Sequence, residues 1–284
     1  FSLGTFGCNF GCEFCQNWEI SQTPKLVKTE TIKKFPVSQV LAKIKKFIDG
    51  NSASWLPEKI VETCLAQKIT AIAFTYSEPT IFAEYAADTM KLAKRHFLRG
   101  VFVSSGYESR ETLDLLHDYI DAYNIDLKGA TDAFYQRFCH THLAPVLETI
   151  MEVVKRKKWL EVTTLLIPEA NTSGKDLRFI SRFLASLSRD IPWHVTAFYP
   201  HYKMADGKAT DWEMLKRAWE IGKEAGLHFV YTGNIPDIQT QSTFCPSCSA
   251  LLIKRKGFTT SVVALDFKKG RCQKCGGDIA GVWT

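Results

Sequence analysis

Gly7-Cys8-Asn9-Phe10-Gly11-Cys12-Glu13-Phe14-Cys15-Gln16-Asn17-Trp18 sets three cysteines in the pattern C-x3-C-x2-C, with no fourth cysteine nearby. The number of thiols decides the reading. A structural zinc site closes its tetrahedron with four protein ligands. A ferredoxin-type [4Fe–4S] cluster takes four thiolates. A tight group of three points to an iron–sulfur cluster with one open metal corner, where chemistry can take place.

Outward from this loop, short apolar runs alternate with helical stretches. Residues 2–6, 70–75, 101–105, 122–127, 160–167, 193–198 and 227–232 are rich in Val, Ile, Phe, Tyr and Thr and read as strands. Between them lie apolar stripes at helical spacing: Val37, Val40, Leu41, Ile44, Phe47 and Ile48; Phe82, Tyr85, Ala86, Met90 and Ala93; Phe179, Ile180, Phe183, Leu184 and Leu187. Trp212, Leu215, Trp219, Ile221 and Ala225 follow the same pattern less regularly. Repeated strand–helix units imply an α/β fold with parallel pairing and right-handed crossovers. Six or seven units make a full or partial β/α barrel. The doubly wound alternative lacks its Gly-rich dinucleotide loop. The rhythm stops near residue 235, so 1–235 reads as one barrel domain and 241–284 as a small separate module.

The bulk properties fit that division. The chain has 284 residues, is 45% hydrophobic and 23% charged, and carries a net charge of +6. A large core is easily supported at this length. No apolar run approaches a membrane span, and no signal peptide is evident. The chain opens at Phe1, inside a candidate strand, and the reading expects an upstream segment. Seven of the nine cysteines fall in three local clusters, unlike a secreted disulfide scaffold. Clustered thiolates read as metal ligands in a reducing, cytoplasmic setting. Basic patches at Lys25, Lys28, Lys33 and Lys34 and at Lys155-Arg156-Lys157-Lys158 read first as solvated faces, with an anionic partner such as nucleic acid as the sharper alternative; no recognised nucleic-acid module accompanies them.

C-x3-C-x2-C followed by a β/α rhythm resembles the radical S-adenosylmethionine (radical SAM) enzymes. The resemblance implies a partial (β/α)6-like TIM barrel of the radical SAM type. Cys8, Cys12 and Cys15 would hold a [4Fe–4S] cluster at the C-terminal mouth, with SAM on the fourth iron. A loop after the first strand suits that place, since barrel sites lie at strand C-termini. Phe14 would lie near the cofactor. Tyr76-Ser77-Glu78-Pro79-Thr80 stands where the family has Gly-Gly-Glu-Pro; only Glu78 and Pro79 match closely, and Glu78 would meet the SAM amino group. Asn124, Asp126 and Lys128 share one strand face by the two-residue period. Asp-x-Lys here resembles the activases of glycyl radical enzymes, which assigns Lys128 to the SAM carboxylate and Asp126 to positioning; the alternative is a structural salt link between the two. By the same resemblance His194 would sit near the SAM adenosine, with a satisfied core or rim histidine as the alternative, Ser104 and Ser105 near methionine or ribose, and Asn234 near adenine. The runs Gly4–Asn9, Phe14–Gln22 and Thr75–Thr80, with the C-terminal cysteines and Gly281-Val282-Trp283, are similar to the radical SAM member of the AmmeMemoRadiSam system, a relative of the pyruvate formate-lyase activating enzyme.

That resemblance implies reductive cleavage of SAM to methionine and a 5′-deoxyadenosyl radical, which takes hydrogen from an unidentified substrate. It implies a reductant such as flavodoxin or ferredoxin and association with Memo-family and AMMECR-family proteins. A protein substrate would meet the rim loop Tyr199-Pro200-His201-Tyr202-Lys203-Met204. Tyr107, Tyr135, Tyr199 and Tyr202 would line an access route. Neither a membrane nor a nucleic acid is expected as a partner.

Cys245-x2-Cys248 and Cys272-x2-Cys275 form a second signal. Four thiolates on two knuckle-like loops fit a closed structural zinc site of the zinc-ribbon or rubredoxin-like kind, with iron sharing the same geometry. An auxiliary iron–sulfur cluster is the alternative. Residues 241–284 carry seven Lys/Arg against two Asp/Glu, a mild sign of a partner surface. The rival reading of the whole chain is a zinc-ribbon protein-interaction or nucleic-acid-binding module with structural metal sites only. A non-redox barrel enzyme such as an aldolase is a third.

Overall fold

The computed structural model describes residues 1–283; the side chains at 26, 29–32, 37, 38, 41 and 51 lie outside the described residues. Val37 and Leu41 of the first expected stripe are among these.

Seven parallel strands form one sheet in sequential order: β1 (Ser2–Leu3), β2 (Ala71–Phe74), β3 (Arg99–Ser104), β4 (Ala122–Asp126), β5 (Trp159–Leu166), β6 (Trp193–Ala197) and β7 (Val230–Gly233). All seven expected strands are present. β1 is shorter than expected. Gly4 passes so close to the Tyr76 carbonyl that a Cβ would fall 1.6 Å from its oxygen, and the chain leaves the sheet there for the cysteine loop. Sequential parallel order needs a crossover after each strand, and the helices supply them. The principal ones are α1 (Val37–Asn51), α2 (Pro57–Ala66), α3 (Ala83–Ala93), α4 (Arg110–Leu116), α5 (Ala144–Lys155), α6 (Gly174–Leu187) and α7 (Trp212–Glu224). Buried Phe74, Phe102, Ile125, Val162, Val195 and Leu184 join sheet and helices in one core.

The sheet curls. Ala71 on β2 and Tyr231 on β7 line a common cavity, whereas five strand spacings in a flat sheet would separate them by about 24 Å. It is not a closed barrel among the described residues: β1 and β7 are the two edges. The strand count is seven rather than the six units the resemblance implied.

After β7 the chain builds a three-stranded antiparallel sheet from β8 (Thr243–Phe244), β9 (Leu251–Lys256) and β10 (Thr259–Val262), and a hairpin from β11 (Leu265–Asp266) and β12 (Arg271–Cys272). Cys245, Leu252, Leu265, Cys272 and Ile279 form a small cluster that includes Phe229, with Tyr231 of β7 packed against it. No helix among the described residues is long and apolar enough to cross a membrane.

Candidate functional site

The cysteine loop follows β1 and is tied down from three directions. Gly7 N donates to Ile20 O across 2.9 Å, Gly11 N to Cys139 O across 3.0 Å, and Glu13 N to Phe138 O across 2.8 Å. The last two anchors come from a π-helical turn, Tyr135–Cys139. Lys203 N reaches Glu13 O at 3.1 Å, and Gln22 Nε2 reaches Phe10 O at 3.1 Å. Gly7 turns the chain at φ +105°, a region open to glycine. Phe10 is buried edge-on against Tyr107 and Tyr135. The thiols therefore stand on a fixed backbone.

A cleft of about 230 Å³ opens at the C-terminal ends of the strands. Cys8, Cys12, Cys15 and Phe14 line it from the loop, Ser105 from the end of β3, Asp126 from the end of β4 and Lys128 from the segment just after it, and Asn234 from the end of β7. Eight residues singled out from the sequence thus meet in one place. Ser21, Ser77, Thr163 and Thr196 also line it and were not anticipated as site residues. Ser21 Oγ lies 3.2 Å from Cys15 Sγ, and Thr163 Oγ1 donates to Asn124 Oδ1 at 3.0 Å. The inward phase of β5 was the available signal for Thr163.

Lys128 Nζ donates to Asp126 Oδ2 across 2.8 Å. Burial works against the ammonium, but Asp126 and then Cys12 outweigh it and hold Lys128 well above its ordinary pKa. Lys128 N also donates to Tyr135 Oη at 2.9 Å, which joins the segment after β4 to the π-helical turn. Burial, then the Glu78 charge, pushes the Cys8 thiol up to about 12. A hydrogen bond with Cys139, then burial, raises Cys12 as well.

Glu78 is fully buried behind the cleft wall. Its Oε2 accepts from Ser105 N at 2.8 Å, and its Oε1 accepts from Thr80 N at 3.1 Å and Thr80 Oγ1 at 2.7 Å. Thr80 Oγ1 is also 3.2 Å from Oε1 of Glu108, a second buried acid that the sequence did not flag. One hydroxyl carries one proton. Donated to Glu78, it leaves only a lone pair toward Glu108, which suits a protonated acid. Ser104 Oγ shares the same Glu108 oxygen. Glu108 Oε2 has no partner, the one such buried side-chain oxygen or nitrogen among the described residues. Burial, then the Glu78 charge, pushes Glu108 up to about 7.

Three residues expected to contact SAM do not line the cleft: Glu78, buried behind its wall with both carboxylate oxygens bonded, Ser104 and His194. Ser104 points to the helix side of β3, toward Glu108, because adjacent strand residues face opposite ways and Ser105 takes the cleft. His194 shares a strand face with Thr196 but lies nearer the N-terminal end of β6. It pairs with Glu161 at 2.6 Å in a different cavity.

In the C-terminal region Cys245, Cys248, Cys272 and Cys275 bring four Sγ atoms within 4.8 Å of one another. The pairs Cys245–Cys275 and Cys248–Cys272 are 3.6 and 3.7 Å apart. A tetrahedron with metal–sulfur bonds of about 2.3 Å has edges of about 3.8 Å. The set is therefore spaced for one ion rather than for a multi-iron cluster. N–H groups of Cys275 and Lys274 favour the Cys272 thiolate and lower it to about 7.

Residues 3–177 match the model of the radical SAM superfamily. The chain belongs to the radical SAM superfamily. An uncharacterized protein of Methanocaldococcus jannaschii is 38% identical over 279 residues, covering 98% of this chain and 76% of that one. A putative glycyl-radical enzyme activating enzyme of the same organism is 24% identical over 224 residues, 78% of this chain and 75% of the other. The same fold recurs in solved structures. A domain of a pyruvate-formate lyase-activating enzyme from Bacteroides vulgatus superposes with a TM-score of 0.50 at 21% identity, covering 57% of this chain and 98% of that one. Streptococcus suis SuiB, bound to the precursor peptide SuiA, gives a TM-score of 0.58 at 12% identity, covering 81% and 48%.

Proposed function

We propose that this radical SAM protein cleaves S-adenosylmethionine reductively and abstracts hydrogen from a peptide or protein substrate. The observation that carries the reading is the gathering of Cys8, Cys12 and Cys15 with Asp126 and Lys128 around one cleft. The donor chemistry fits a [4Fe–4S] cluster. The cleft offers three thiols from one short loop, the soft donors such a cluster takes. Cys8, Cys12 and Cys15 would hold the cluster. Bound there, it supplies the electron for cleavage of SAM.

The chain's own groups orient the cosubstrate. Lys128 offers a charged donor to a carboxylate, and Asp126 keeps that donor protonated and aimed. Glu78 acts from behind the wall: its bond to Ser105 N fixes the cleft-lining Ser105 that would face SAM. Asn234 and Phe14 bound the remaining sides. The C-terminal four-cysteine site is read as structural zinc, with iron the alternative in the same geometry, in a module spanning 241–284 that follows the 1–235 core.

The peptide or protein substrate is supported by the likeness to a putative glycyl-radical enzyme activating enzyme. The rim offers a surface for it: Trp18 stacks on Tyr202 with ring centres 5.1 Å apart beside the cysteine loop. Membership of the AmmeMemoRadiSam group, and with it Memo-family and AMMECR-family partners, rests on the Gly4–Asn9 and Phe14–Gln22 runs. The test is anaerobic incubation of reconstituted protein with SAM, dithionite and deuterated candidate proteins of these families. Deuterium in the released 5′-deoxyadenosine identifies the substrate; deuterium-free product from every candidate refutes the partner assignment.

A further inference from the structure

At the opposite end of the sheet from the cysteines, a cavity of about 510 Å³ lies between the N-terminal halves of the strands and the C-terminal region. Its size is that of a small-molecule site. Trp159 and Tyr231 come from β5 and β7, and Trp283 closes it from the C-terminus. Hydrogen bonds tie the two sides: Tyr231 Oη and Thr243 Oγ1 are 2.9 Å apart, and Arg255 Nη1 donates to Thr243 Oγ1 at 2.7 Å. The Arg255 guanidinium lies 5.3 Å from the Tyr231 ring centre, and the His194 ring stacks on the same ring at 5.3 Å.

The unspent bonding capacity here is that of donors. The Glu161 carboxylate is committed to Trp159 Nε1 at 3.0 Å and His194 Nε2 at 2.6 Å. Asp121 is committed to Lys94 Nζ and Gly100 N. Arg99, an exposed residue at the cavity's edge, has no partner among the described residues, and only one of the Arg255 guanidinium nitrogens is used. A guanidinium fork in an aromatic-walled space suits a carboxylate or phosphate on a ring. Aromatic faces suit a planar group.

We propose that this cavity is a second binding site, for a planar aromatic molecule carrying an anionic group, distinct from the cysteine-lined cleft. Glu161 and His194 each lie one two-residue step, about 7 Å, below cleft-lining Thr163 and Thr196. The Asn124–Thr163 hydrogen bond lies between the two spaces. A ligand here therefore leaves the cleft free.

The probes are flavin mononucleotide, 1-naphthyl phosphate and the uncharged counterparts riboflavin and 1-naphthol, titrated against the full chain. Stacking on Trp or Tyr quenches flavin emission, so binding is read directly. The proposal expects saturable binding of both phosphates, about tenfold tighter than their neutral partners. Arg99→Ala should erase most of that preference, and Trp283→Ala should weaken both members of each pair. Zinc content and melting temperature report that the variants fold. Saturating SAM should not displace either probe. Absence of binding at millimolar probe, equal affinity for charged and neutral members, retention of the preference in Arg99→Ala, or displacement by SAM would each overturn it.

Discussion

Asp126, the last residue of β4, and Lys128, two residues beyond it, form an ion pair of 2.8 Å whose lysine side chain is only 12% exposed while the aspartate is 39% exposed. The partly open carboxylate gives the buried ammonium its reason to stay charged. Asp126→Asn removes that partner and leaves Lys128 buried with a neutral amide. The expected cost is about 1.5–3 kcal/mol of stability, read by urea unfolding. Lys128→Met removes the charge altogether and should weaken SAM binding at least tenfold in calorimetry.

Glu108 predicts a pH dependence of known sign. Its carboxyl is raised to about 7 by burial and by Glu78. An acid raised on folding binds more protons folded than unfolded, so its contribution is greatest below the ordinary carboxylate value near 4.5. It declines as pH rises through about 7. The ceiling is about 3 kcal/mol. Glu108→Gln, a neutral isostere, should therefore gain on the wild type by a few degrees in melting temperature between pH 5 and pH 8. A constant difference across that range would show that Glu108 does not titrate there.

The C-terminal thiols predict a separable metal. Cys8→Ala/Cys12→Ala/Cys15→Ala should retain about one zinc per chain, as a single four-thiolate site requires. A strong chelator should lower the melting temperature of that variant, because two of the ligands, Cys245 and Cys272, belong to the small buried cluster beside Phe229. Residual iron with sulfide would instead mark a second cluster.

The strands and the cysteine spacing were legible because each is a local pattern. Apolar runs of strand length announced all seven strands, and C-x3-C-x2-C announced the loop. Position along a strand was not legible. The two-residue period says that His194 and Thr196 face the same way, but not that one faces the lower cavity and the other the mouth. Ser104-Ser105 was ambiguous for a related reason: two identical polar residues give no phase, and only the register of β3 decides which reaches the cleft. Glu108 was missed because nothing local marks it. Its role depends on Thr80, twenty-eight residues away, and on Glu78, whose burial only the folded chain shows.

The central claim is that Cys8, Cys12 and Cys15 hold a cluster that cleaves SAM. The most direct measurement is release of 5′-deoxyadenosine by anaerobically reconstituted protein given SAM and dithionite, compared with Cys12→Ala treated identically. The account predicts about four iron and four sulfide per chain at this site and steady product release from the wild type, with both lost in the variant while the zinc remains. Reconstituted wild type that holds only zinc and releases no 5′-deoxyadenosine would contradict it.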